Sequence, residues 1–107
     1  MCEISRDQAE KITRFENFHL EWSGGLPTDH NDKGFLLCIE KKDESLQAEI
    51  WHCHRKNGKL GIFASDVGSN NRSDNANILF GFFEITDKIR NKLEEMGIDI
   101  QRCLKSY

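Results

Sequence analysis

An α+β fold is predicted for this 107-residue chain, with an antiparallel sheet of about four to five strands and two helices packed against it. The predicted order is α-β-β-β-β-α-β, in a single domain over residues 1–107. Three features carry the prediction. A capped amphipathic segment lies near each end, an alternating stretch from Phe35 to Ala64 is punctuated by turn residues, and an apolar run spans Ile78 to Ile85. Helical spacing at the ends and period-two alternation between them is the pattern of helices covering a sheet.

Ser5 and Gln8 match a capping box, in which each side chain satisfies an orphan amide of the first turn. Ala9, Ile12 and Phe15 follow at helical spacing, so a helix is predicted from about Arg6 to Asn17. Phe18, Leu20 and Trp22 then alternate with His19 and Glu21, which suits a short strand or a frayed helix end. Residues 23–34 hold Gly24, Gly25, Pro27 and three Asx residues and read as a loop.

The first meander strand is predicted from Phe35 to Lys41, with Phe35, Leu37 and Ile39 on one face and Leu36 and Cys38 on the other. Lys42 to Ser45 reads as a hairpin connection. The next strand, Leu46 to about Arg55, points Leu46, Ala48, Ile50, His52 and His54 one way and Glu49, Trp51 and Cys53 the other. Asn57-Gly58 is a strong two-residue hairpin signal, because both central positions of a type I′ turn need positive φ. Leu60, Ile62 and Ala64 alternate on the returning strand. Ser65 to Asn77 is polar throughout apart from Val67 and Ala76 and reads as a long loop. Ile78 to Ile85 is apolar on both faces, as a central strand would be. Thr86 caps a second helix whose stripe is Ile89, Leu93 and Met96 and which Gly97 ends. Ile98 and Ile100 are expected to begin a last short strand.

Composition bounds the function. Charged residues make up 31% of the chain and hydrophobic ones 37%, which is too apolar for disorder and ordinary for a solvated domain. The longest apolar runs are too short to span a membrane, and no secretory leader precedes Arg6, so a cytoplasmic protein is expected. Four widely spaced cysteines, Cys2, Cys38, Cys53 and Cys103, are then expected as free thiols. Net charge is −3, and residues 16–49 hold eight acids against three bases, a local net of −5. The pI near 5.8 and the lack of a basic stripe argue against nucleic acid as a partner.

No catalytic set stands out. His52 and His54 share a strand face and could begin a zinc site or a histidine-dependent enzyme, but zinc needs further ligands that no spacing supplies. Cys53 points away from both histidines on a strand, and Cys38 has no neighbouring base, so neither makes an evident thiol nucleophile. Gly24-Gly25 lacks the lysine of a phosphate loop, and Asp66, Asn70, Asn71 and Asp74 lack calcium-loop spacing. A small acidic body without catalytic residues has the physical profile of an inhibitor that binds another protein. Toxin-neutralising immunity proteins and phage proteins that disable host defence enzymes share it. Charge would steer such a protein onto a basic partner such as a toxin or nuclease. The residues expected to bind are Asp29, Asp32, Asp43 and Glu44 in turns and loops, with Trp51 as an aromatic anchor. Trp51 packed on Leu36 and Cys38 in a second small core is the competing reading.

Overall fold

The computed structural model describes residues 1–20, 33–56, 59–60 and 78–105. In chain order these form β1 (Cys2–Ile4), α1 (Arg6–Ile12), β2 (His19–Leu20), β3 (Lys33–Lys42), β4 (Ser45–Lys56), β5 (Lys59–Leu60), β6 (Ile78–Ile85), α2 (Asp87–Glu95) and α3 (Ile100–Cys103). The α+β class stands. The main sheet runs β1-β3-β4-β6-β2, every neighbouring pair antiparallel, and β5 folds back on the end of β4.

The first two strands of the meander form where the alternation placed them. β3 and β4 pair from Lys33↔His54 to Lys42↔Ser45, which leaves Asp43 and Glu44 as a two-residue turn. Asp43 takes φ 53°, a left-handed conformation that aspartate tolerates better than most side chains. Ser45 Oγ donates to the Lys42 carbonyl at 2.9 Å and closes the turn. Lys56 pairs with Lys59 on either side of Asn57-Gly58; those two residues, residues 61–64 of the returning strand and the loop 65–77 lie outside the described residues.

One face of the sheet carries the core. Phe35, Leu37 and Ile39 of β3, Ala48 and Ile50 of β4, and Phe83 and Ile85 of β6 pack with Ala9 and Ile12 of α1, Ile89 and Leu93 of α2, and Ile100 and Cys103 of α3. Both longer helices start as the sequence indicates. Ser5 and Gln8 form the reciprocal box of α1, and Thr86 Oγ1 accepts from the Ile89 amide at 3.3 Å. Gln8 Nε2 also donates to the Met96 carbonyl at 3.1 Å, tying the start of α1 to the end of α2.

Three local expectations are corrected. The segment Cys2–Ile4, to which the predicted order assigned no element, is an edge strand along β3. α1 ends at Ile12, and turns carry the chain to Asn17, whose φ of 65° stops further winding. Ile98 and Ile100 do not begin a strand: Asp99 caps the short α3 by accepting from the Gln101 amide at 3.0 Å. Among the described residues of this segment, Leu104 bridges the sheet alongside Ile39, with the Lys105 amide donating to the Ile39 carbonyl at 2.8 Å.

The expectation of free thiols fails for Cys2 and Cys103 and holds for Cys38; the side chain of Cys53 lies outside the described residues. Cys2 and Cys103 form a disulfide with Cα atoms 4.7 Å apart. Wide spacing was the argument against pairing, yet β1 and the segment after α3 lie on the same edge of β3, so the fold brings together residues 101 positions apart. Cys38 is free and buried.

Two glycines matter. Gly97 has φ 80°, and the Gly97 and Ile98 amides donate to the Glu94 and Leu93 carbonyls at 2.9 and 3.0 Å, the paired bonds of a Schellman cap. Gly97→Ala is expected to destabilise by about 1 kcal/mol through the left-handed backbone alone, because open space surrounds the site; a urea midpoint unchanged from wild type would contradict this. At Gly81 the reason is space. A Cβ there would meet Phe18 Cζ at 2.5 Å and the His19 carbonyl at 2.6 Å, so β2 can lie against β6 only over a glycine. Gly81→Ala is expected to destabilise by about 1–3 kcal/mol and to speed amide exchange at His19 and Leu20, read by hydrogen exchange.

Candidate functional site

The second face of the sheet, turned away from the helices, holds the best candidate. Its rows follow from the register. Cys38, Glu49 and Phe82 lie side by side on β3, β4 and β6, and His19 of β2 completes the row. Glu40, Gln47 and Glu84 form the next row. Leu36 and Trp51 form the row on the other side.

Phe82 is 39% exposed, an unusual position for phenylalanine in the middle of a strand. It stacks on the His19 ring with centroids 5.1 Å apart. Glu49 pairs with it directly, and Glu84 follows two residues along the same face, about 7 Å away. Among the described residues, Glu49 and Glu84 form no ion pair; Glu40 is bridged to Lys105 at 3.3 Å. The face is therefore an apolar ring bordered by carboxylates.

The sequence-predicted residues fall in different places. Asp43 and Glu44 are exposed at the β3–β4 turn, one strand end beyond the Glu40–Gln47–Glu84 row. Asp29 and Asp32 lie outside the described residues; Lys33, which follows Asp32, opens β3 at the end opposite Asp43. Trp51 is on the outer face, about 23 Å from Glu44 along β4. It is half-buried with its indole nitrogen shut away from solvent, and it pairs with buried Leu36. That arrangement suits the small second core more than a free anchor. Leu36 and Cys38 are both buried although neither belongs to the helix-side core.

The histidine pair does not present two imidazoles to solvent. His52 is only 2% exposed, faces the helix side and lies against Phe35 with centroids 5.5 Å apart. The side chain of His54 lies outside the described residues. Among the described residues, no three His, Cys, Asp or Glu side chains are grouped to hold a metal. Burial pushes the Cys38 thiol up, which keeps it protonated and a poor nucleophile.

Phe82 is the residue that sequence reading missed. The run Ile78 to Ile85 looks apolar on both faces, which hides which phenylalanine faces outward. Comparison with protein-family models, with curated proteins and with solved structures finds no match to this chain. Among the described residues, no helix is long and apolar enough to cross a membrane.

Proposed function

We propose that the protein is a small cytoplasmic inhibitor that binds a basic partner protein and works by occlusion, without chemistry of its own. The physical profile is that of a toxin-neutralising immunity protein or a phage anti-defence inhibitor. The observation that carries this reading is Phe82, exposed in mid-strand and bordered by Glu49 and Glu84. An exposed aromatic ring supplies contact area that water leaves readily, and surrounding carboxylates select and steer a cationic surface. The turn acids Asp43 and Glu44 extend the negative field past one end of this face. Asp29, Asp32 and Trp51 remain proposed contributors on the strength of the sequence, with Trp51 half-buried on the same outer face.

The test is capture followed by kinetics. Immobilised wild type is used to recover a partner from cells, and the partner is purified. Its association is then measured with wild type, with Glu49→Lys/Glu84→Lys and with Asp43→Lys/Glu44→Lys. A basic partner, slower association in the charge-reversed proteins and a weaker salt dependence support the reading. Phe82→Ala should mainly speed dissociation. A partner bound equally by wild type and both charge-reversed proteins sinks it.

A further inference from the structure

We propose that Cys2–Cys103 is a thiol–disulfide exchange site, at which a zwitterionic peptide thiol of the glutathione class opens the β1 edge of the sheet. The two sulfurs are unequal. Cys103 is 1% exposed, whereas Cys2 is partly open to solvent. A cavity of about 340 Å³ borders Cys2 and not Cys103; Met1, Glu3, Gln8, Asp99 and Arg102 are among its lining residues. A guanidinium and two carboxylates around one cavity match a ligand that carries carboxylates and an ammonium together. Access therefore selects Cys2 as the sulfur attacked.

The incoming thiolate attacks Cys2 Sγ and forms a mixed disulfide there. The electron pair of the broken bond goes to Cys103 Sγ, which takes up a proton. A second thiol then attacks the mixed disulfide, frees the Cys2 thiol and leaves as the oxidised dimer of the small thiol. Two thiols are oxidised and one protein disulfide is reduced.

What the bond holds is small and local. β1 pairs only through Cys2↔Leu37, Glu3↔Leu36 and Ile4↔Phe35. The segment after α3 meets the same edge at Ile39, with an exposed Lys105–Glu40 ion pair beside it. The next element, α1, carries its own capping box and buries Ala9 and Ile12 independently of the bond. Reduction accordingly releases residues 1–4 and 104–105 from β3 and leaves the remaining sheet paired. Disulfides in thiol-rich compartments are mostly transient or redox-sensing, which fits the cytoplasmic placement proposed above. The exchange itself is tested on purified protein, independently of compartment and of any partner.

Oxidised protein is treated with reduced glutathione under native conditions and followed by mass spectrometry and hydrogen exchange. The expected result is a single glutathione adduct on Cys2, then full reduction. Exchange at residues 2–4, 35–39 and 104–105 should rise on the order of tenfold or more, with residues 46–50 and 89–93 unchanged. Arg102→Ala should slow the reaction with glutathione and not with 2-mercaptoethanol. The Cys2→Ser/Cys103→Ser protein should fold and show the same exchange pattern as reduced wild type. A bond that resists glutathione until denaturation, an adduct on Cys103, equal slowing for both thiols, or a double variant that does not fold would each overturn the proposal.

Discussion

Removal of the Cys2–Cys103 disulfide is expected to lower the stability of the protein by about 2–5 kcal/mol. The bond joins residues 101 positions apart, so almost the whole chain lies within the closed loop. In the loop-entropy account, a cross-link spanning about 100 residues restricts the unfolded chain by roughly 4.7 kcal/mol. Residual structure in the unfolded state reduces that figure. In urea, Cys2→Ser/Cys103→Ser should unfold at a clearly lower midpoint than the oxidised protein. Its m-value should also rise, because an unlinked chain exposes more surface on unfolding. Equal midpoints would show that the cross-link does not constrain the unfolded ensemble. A loss of this size lies below the roughly 5–15 kcal/mol that holds a typical domain together. The reduced protein is therefore expected to stay folded at room temperature with one edge of its sheet released.

Most of the fold was readable because short-range signals determine it. Ser5 with Gln8 and Thr86 with Asp87 specify helix starts by chemistry confined to one turn. The alternation across β3 and β4 assigns Leu37 and Ile50 to one face and Leu36 and Trp51 to the other without reference to any distant residue. What escaped was long-range. The disulfide depends on two chain segments meeting on the far edge of β3, and no local pattern reports which edge a terminal segment will choose. Ile98 and Ile100 alternate like a strand, yet Asp99 between them is a good helix cap and the local bond prevailed. The candidate face was obscured for a related reason. Acids in turns draw attention because loops project side chains freely, whereas Glu49 and Glu84 are ordinary outward residues until the register places them around Phe82.

Phe83→Ala is expected to destabilise the protein by about 3–5 kcal/mol, and its neighbour Phe82→Ala to change stability by no more than about 0.5 kcal/mol. Phe83 is 1% exposed and sits where three elements converge. Phe15, beyond the end of α1, meets it edge-on with centroids 6.1 Å apart, and Phe18, just before β2, lies 5.8 Å away. Ala48 pairs with it across β4 and is small enough to admit the ring. Truncation would leave a void that Phe15 cannot fill without giving up Lys92, whose ammonium lies 5.3 Å above its ring. Phe82 is 39% exposed and rests on the His19 ring at the outer face, so truncating it opens no cavity in the helix-side core. The contrast depends on β6 pairing with β4 as Ala48↔Phe83 and Glu49↔Phe82. A slip of one residue would exchange the two rings between core and outer face. Urea midpoints of the two variants therefore read the register directly. If Phe82→Ala were the damaging change, the exposed aromatic face and the binding role built on it would both fall. The expected order leaves Phe82→Ala as a folded protein in which a change in partner binding reports on the face itself.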